Sequence, residues 1–311
     1  MEDVTDTVFR QIVGMCAKPD VCFTEFVNVE ALYSIGREKV IHRLQFTRKE
    51  RPIVAQIWGL VPEHYYKTAQ EIARMGFNGI DINMGCPVEK VLVHGCCAAL
   101  IENKPLAKEI IAATKEGALR QAQGKLLPVS VKTRIGYKKI VTEEWIEFLL
   151  KQDIAALTIH GRTARELSKV PARWDEIGKA VTVRNRLHSS TLIIGNGDVK
   201  SQEEGREKCK TYGVDGVMIG RGIFDNLWLF DRSDKNLAAQ GRALSVGERL
   251  SLLLTHVRLF DKTWGKSKNF DILKRFFKIY VSDFDGAKEL RVKLMETHTA
   301  SEVEKIVLNI A

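Results

Sequence analysis

The chain has no uninterrupted apolar run near the roughly 20 residues that a membrane-crossing helix requires, although 45% of its 311 residues are hydrophobic. A bilayer-spanning segment is therefore not expected. The opening Met1-Glu-Asp-Val-Thr-Asp6 lacks the basic and apolar regions of a secretory signal. Cysteine is sparse: the six residues at 16, 22, 86, 96, 97 and 209 show no Cys-x-x-Cys spacing. Vicinal Cys96 and Cys97 are also poorly placed to bridge each other. These absences argue against a disulfide scaffold and a structural zinc site, and for a reducing cytoplasm. No close pair of His, Asp or Glu has ligand spacing, so no metal is expected. No Gly-x-Gly-x-x-Gly follows an early strand, which disfavours an open dinucleotide-binding sheet. Acidic residues are in deficit, 39 against 48 basic ones, for a net charge of +9 and a pI of about 9.2. That balance favours a polyanionic partner without specifying a fold. Nothing calls for a stable protein partner, and a monomer is expected.

What is present is alternation. β-like apolar runs fall at 21–27, 53–58, 79–83, 128–133, 156–160, 192–195 and 216–219, with helical patterns between them at 63–75, 106–121, 142–152 and 201–210. Strand–helix alternation at this spacing predicts parallel βαβ units. Continuous rather than alternating apolar strands predict a sheet covered on both faces. The expected class is α/β, a (β/α)₈ TIM barrel spanning 1–230. Seven strands are visible, so the first is expected to be missing, truncated or upstream of Met1, with helix 6–15 following it. Residues 231–311 contain no strand pattern. Helical periodicity at 247–262, 270–282, 288–296 and 300–310 predicts a small bundle.

Polar residues cluster at strand ends. Asp81-Ile-Asn-Met-Gly-Cys-Pro87 ends a buried strand in a Gly/Pro-framed turn that carries Cys86. Gln56, Lys132 with Arg134, His160 with Arg162, Asn196 with Asp198, and Arg221 close other strands. In a barrel all of them would face the C-terminal mouth, where active sites lie. Gly195-Asn-Gly-Asp198 and Gly220-Arg-Gly222 offer backbone N–H groups and a guanidinium suited to a phosphate monoester, or are ordinary glycine turns. A buried lysine or histidine is by itself usually structural. Gln56, Lys132 and His160 around a phosphate site together resemble a flavin mononucleotide cradle. In the tail, Lys262, Lys266, Lys268, Lys274, Arg275 and Lys278 interleave with Trp264, Phe270, Phe276, Phe277 and Tyr280. The residues leave two readings open: a solvated face over a core of aromatics, or a phosphate-tracking surface with stacking groups.

Met1-Glu-Asp-Val-Thr-Asp-Thr-Val-Phe-Arg10, Asn83-Met-Gly-Cys-Pro-Val-Glu-Lys-Val91, Val131-Lys-Thr-Arg-Ile-Gly136, His160-Gly-Arg-Thr163, Asn196-Gly-Asp198 and Gly220-Arg-Gly222 follow one another along nearly the whole chain. In that order they resemble the signatures of the tRNA-dihydrouridine synthase family. Related flavin barrels such as dihydroorotate dehydrogenases share the cradle but not the cysteine turn with a basic helical tail.

The resemblance implies an FMN enzyme that takes electrons from NADPH (or NADH) and reduces the C5–C6 double bond of a tRNA uridine. Cys86 would protonate C5 after hydride reaches C6; an unperturbed thiol, with a pKa of about 8.5, is mostly protonated at neutral pH. Met1, Gln56, Lys132 and His160 would contact the flavin, and Asn196, Gly197, Asp198, Gly220 and Arg221 its phosphate arm. Asn83, Arg134 and Arg162 are candidates on the substrate side. Lys266, Lys268, Lys274, Arg275 and Lys278 would track tRNA. The alternatives are an FMN dehydrogenase of a free pyrimidine or other small molecule, and a flavin-less tRNA-binding protein. Two departures stand out. Of the usual apolar strand ending in Ala-Pro-Met, only Met1 is present. Cys97 stands where the family usually has glycine, at a position expected to carry strain if its φ is positive.

Overall fold

The computed structural model describes residues 1, 3–120, 125–232 and 245–309. They form two compact units, Met1–Glu2 with Asp20–Gly222, and Asp3–Pro19 with Ile223–Ala311.

The first unit is built on β1 (Cys22–Phe23), β2 (Val27–Asn28), β3 (Ile53–Trp58), β4 (Gly79–Met84), β5 (Leu119–Arg120), β6 (Lys125–Leu126), β7 (Val129–Arg134), β8 (Ala156–His160), β9 (Leu192–Asn196) and β10 (Gly216–Met218). β5 and β6 form a separate antiparallel pair, while the main sheet runs β1–β3–β4–β7–β8–β9–β10 with β2 also on β3. Every pairing in the main sheet is parallel. Helices Pro62–Met75, Lys104–Gly117, Thr142–Leu150, Trp174–Arg186 and Gln202–Tyr212 return the chain between strands. The fold is thus α/β of the TIM-barrel type; among the described residues β10 pairs only with β9. All six residues of β4 are buried, as a continuous apolar strand covered on both faces requires.

The strand expected at 21–27 is interrupted. Thr24 N donates to the Val54 carbonyl at 3.0 Å, but the Gln56 N–H is then taken by Thr24 Oγ1, also at 3.0 Å. A side-chain hydroxyl thus replaces a ladder carbonyl and splits the strand into β1 and β2. Helix Trp174–Arg186 was not anticipated: Gly178, Thr182 and two valines lower its propensity. The buried stripe Trp174, Ile177, Ala180, Val181 and Val183 nonetheless packs it.

The second unit comprises helices Thr7–Cys16, Val246–Trp264, Asp271–Lys274, Phe277–Tyr280, Ala287–Met295 and Ala300–Leu308. The expected ends at 121 and 310 lie outside the described residues. Helix Thr7–Cys16 belongs here rather than with the barrel, and the division falls after Gly222 instead of at 230. Asp6 explains the placement. Its Oδ1 caps the helix through Phe9 N at 3.0 Å, and its Oδ2 accepts from Trp264 Nε1 at 2.8 Å and Lys268 Nζ at 3.1 Å. Phe9 stacks on Phe276 with centroids 4.9 Å apart. The single helix expected over 270–282 is two short ones. Phe276 N bonds Leu273 O and Ile279 N bonds Phe276 O, so the joint is wound in the tighter i→i+3 pattern while adjacent Phe276 and Phe277 are both buried.

Candidate active site

β4 ends at Met84, and the backbone turns at once. Asn83 Oδ1 accepts from the N–H groups of Gly85 and Cys86, both at 3.0 Å, closing an Asx-type turn. Arg134 Nε donates to the Gly85 carbonyl at 2.7 Å, and Ala98 N donates to the Cys86 carbonyl at 3.4 Å. The Cys86 backbone is therefore held from β4, β7 and the following loop, with its side chain half-buried. The buried Cys97 side chain hydrogen-bonds that of Cys86, and burial, reinforced by Cys86, pushes the Cys97 thiol well above its ordinary range. Cys97 sits at φ +53°, a left-handed conformation that costs a non-glycine residue on the order of 1 kcal/mol.

Parallel register arranges the polar strand residues in rows, and Gln56, with Ile57 and Trp58 after it in β3, lies inside its strand rather than closing it. Gln56, Asp81 and Ser130 form one row; Asn83, Lys132 and Thr158 the next; Arg134, His160 and Asn196 the last. Residues two apart on a strand share a face, so Lys132 and Arg134 point the same way. The electrostatics follow. Burial, then Arg134, pushes the Lys132 ammonium down to about 8, against the pull of Asp81 and Cys86. Burial lowers Arg134 to about 10, with Cys86 opposing and Arg162 adding to the shift. His160 falls to about 2 through burial and the cations Arg134, Lys132, Arg162 and Arg221, so its ring is neutral at physiological pH.

Two buried polar atoms at the end of β8 have no partner, His160 Nδ1 and Arg162 Nη1, while the neighbouring Thr163 side chain faces the Glu166 carboxylate. Buried groups of this kind are normally satisfied, and a bound anion or ring edge with acceptors would satisfy them. Arg162 is otherwise fully engaged, Nε to the Val170 carbonyl and Nη2 to Asp198. Asp198 Oδ2 also accepts from Ala172 N at 2.9 Å. Burial would raise Asp198, but Arg162 and the Ala172 N–H outweigh it and hold the carboxyl below its usual range. Asp198 thus orients Arg162. Asn196 Nδ2 ties β9 to the Met218 carbonyl of β10 at 2.8 Å. Gly197 has φ +133°, and a Cβ there would lie 2.7 Å from Ala172 Cβ, so the turn requires glycine. A Cβ on Gly220 would meet nothing within 4 Å, and Arg221 is exposed. These features suit a phosphorylated, partly anionic cofactor. Met1 is half-buried in the same unit.

Gln56 is engaged with Asn83 on one side and with Asp81 on the other, a residue sequence reasoning left without a role. The signal was available: Asp81 is the one charged residue of a wholly buried strand. Thr163 and Ser130 were also missed, and nothing in their local sequence marks them.

In the second unit, Trp264, Phe276, Phe277 and Tyr280 are buried and Phe270 is half-buried, so of the two open readings these aromatics take the one that places them in a core. Lys268 pairs with Asp6 and lies 3.9 Å over the Trp264 ring, and Lys274 pairs with Asp271 at 2.7 Å. Arg275 donates to the Asp3 carbonyl at 2.6 Å, while Lys266 and Lys278 are exposed. Among the described residues, no cluster of His, Cys, Asp or Glu could hold a metal ion, and no helix is long and apolar enough to cross a membrane.

A barrel-type parallel sheet with polar side chains converging at the C-terminal ends of successive strands defines an enzyme on the TIM-barrel plan. The chain belongs to the dihydrouridine synthase family: the model of that family, described as "Dihydrouridine synthase (Dus)", matches residues 1–311. A "Probable tRNA-dihydrouridine synthase" of Staphylococcus aureus (strain COL) is 44% identical over 310 residues, covering 99% of this chain and 90% of that protein. A "Probable tRNA-dihydrouridine synthase 2" of Bacillus subtilis (strain 168) is 43% identical over 310 residues, covering 99% and 91%. In fold, the chain is similar to the solved "X-structure of a variant of NCR from zymomonas mobilis", with a TM-score of 0.50 and 16% identity over 79% of this chain and 84% of that one.

Proposed function

We propose that this chain is a cytoplasmic, monomeric, FMN-dependent enzyme that reduces the C5–C6 double bond of a uridine in tRNA, giving dihydrouridine. The observation that carries the reading is the neutral His160 ringed by Lys132, Arg134, Arg162 and Arg221, with His160 Nδ1 and Arg162 Nη1 unpartnered beside the Cys86 turn. Such a site offers cations and directed donors to an anionic, phosphate-bearing group. The names of the relatives supply the substrate class.

Bound FMN would supply the hydride that uracil C6 accepts, with NADPH (or NADH) as the source of electrons. Gln56, Lys132 and His160 would hold its ring, with Met1 at the edge. Asn196, Gly197, Gly220 and Arg221 would hold the phosphate arm, with Asp198 acting through Arg162. Lys132 places a positive charge where reduction of a ring leaves negative charge. Cys86 would donate the proton that C5 takes up, and Asn83 would face the base edge. The target uridine must leave its stack to reach the site. Residues 231–311 would contact tRNA through exposed cations such as Lys266 and Lys278.

The test is incubation of the purified chain with FMN, NADPH and unmodified tRNA, followed by mass mapping of dihydrouridine. Product is expected with the wild type, and Cys86→Ala should keep flavin and NADPH oxidation while forming little product. A wild type that binds FMN and oxidises NADPH yet leaves tRNA unchanged would refute the substrate.

A further inference from the structure

Asp81 is wholly buried, and each of its carboxylate oxygens accepts one hydrogen bond, Oδ1 from Ser130 Oγ at 2.6 Å and Oδ2 from Gln56 Nε2 at 2.7 Å. The chain of bonds continues: Asn83 Nδ2 donates to Gln56 Oε1 at 3.2 Å, and Asn83 Oδ1 receives the Gly85 and Cys86 N–H groups at 3.0 Å. Both ends of this relay are one-way. An ionised carboxylate only accepts, so Gln56 must turn its Nε2 towards Asp81 and leave Oε1 facing Asn83. Backbone N–H groups only donate, so Asn83 must keep Oδ1 for the turn and give Nδ2 to Gln56. The two side-chain amides between them could each rotate by half a turn, and the two ends demand the same orientation of both.

The register makes this possible, because Gln56, Asp81 and Ser130 are direct partners across β3, β4 and β7. Burial also raises the Asp81 carboxyl to about 6, although Ser130, Gln56 and Lys132 pull the other way. An apolar side chain would fill the strand without that cost.

We propose that Asp81 is a positioning residue for Cys86, acting through Gln56 and Asn83 to hold the cysteine turn in one geometry. What the turn is used for rests on the function proposed above; the relay itself does not.

The experiment compares the wild type with Asp81→Leu, Asp81→Asn, Asn83→Ala, Gln56→Met and the Asp81→Leu/Asn83→Ala double variant. Hydrogen exchange of the peptide carrying Gly85 and Cys86 is followed beside steady-state formation of dihydrouridine. Asp81→Leu is expected to speed exchange of those amides as Asn83→Ala does, with no further gain in the double variant, since both break one chain. Asp81→Asn should restore wild-type exchange: its oxygen can still accept from Gln56 while the Ser130 hydroxyl turns to accept from its amide. In the product assay, Asp81→Leu should lose roughly 10-fold or more in kcat with KM for tRNA little changed. Gln56→Met interrupts the relay at its middle and decides the matter should Asp81→Leu fail to fold. Unchanged exchange at Gly85 and Cys86 in the folded variants, additive effects in the double variant, or unchanged kcat despite faster exchange would each overturn the proposal. A wild type that makes no dihydrouridine would refute the proposed function and leave the exchange result to stand on its own.

Discussion

Arg134 donates from Nε to the carbonyl oxygen of Gly85 at 2.7 Å, so the end of β7 grips the turn that follows its neighbour β4. The same guanidinium reaches the carbonyls of Thr163 at 3.0 Å and Leu167 at 3.3 Å through Nη1. One buried cation thereby ties the Cys86 turn to the loop after β8, the loop that carries Arg162.

Arg134→Met should consequently loosen both segments. Three carbonyls lose a charged donor, and a loss of stability on the order of 3 kcal/mol is expected in denaturant unfolding. Arg134→Lys should recover little of it, because an ammonium lacks the planar fork that serves separate acceptors. Wild-type stability in the Met variant would refute the tie.

Cys97 tests the cost of a left-handed backbone. Cys97→Gly removes a strain on the order of 1 kcal/mol but also a small buried side chain, so stability should move by less than about 1 kcal/mol. Cys97→Val places a β-branched residue at φ +53° and should lose about 2 kcal/mol or more. Thermal unfolding of the two variants side by side checks the ordering.

His160 supplies a pH test. Its folded pKa lies near 2, below the unfolded value, because of burial and four surrounding cations. In the unfolded chain the imidazole takes up a proton below about pH 6.5, whereas the folded chain does not until far more acidic pH. Its contribution to stability is therefore complete above that unfolded pKa and is lost as pH falls towards the folded one. The stability difference between wild type and His160→Gln should shrink by up to about 1.4 kcal/mol per pH unit below pH 6. The His160 ring resonances should not titrate between about pH 5 and 8. Titration near 6.5 would refute the cationic surround.

The tail cations should not be equivalent. Lys266→Glu and Lys278→Glu change exposed charges and should weaken tRNA binding, with the salt dependence of binding reduced by about one unit of slope for each phosphate contact removed. Lys268→Met should instead lower stability, since it removes the Asp6 ion pair and the stack on Trp264. Filter binding at several salt concentrations, with melting curves, separates the two effects.

Much of this site was legible in one dimension. Gly85 and Pro87 announce where β4 stops, and Lys132, His160 and Asn196 end apolar runs, which places them towards one edge once the strands are parallel; Gln56 lies deeper, in the row of Asp81 and Ser130. Asp198 and Lys268 were legible as polar residues but not in their partners: Asp198 holds Arg162, and Lys268 holds Asp6. The aromatics of the tail read equally well as stacking groups or core, and only burial distinguishes them.

The sequence by itself determined most of the strand and helix runs, though not helix Trp174–Arg186 or the breaks within 21–27 and 270–282, together with the cysteine turn and the family signatures, because these depend on side-chain periodicity and turn chemistry within a few residues. The tertiary structure decided which residues share a row, that Asp81 reaches Cys86 through two amides, and that helix Thr7–Cys16 joins the C-terminal helices. Those outcomes depend on strand register and on contacts such as Asp6 with Trp264, 258 positions apart. No local propensity encodes a pairing at that separation; it is settled only when the folded chain brings donor and acceptor together in a buried place where neither can turn to water.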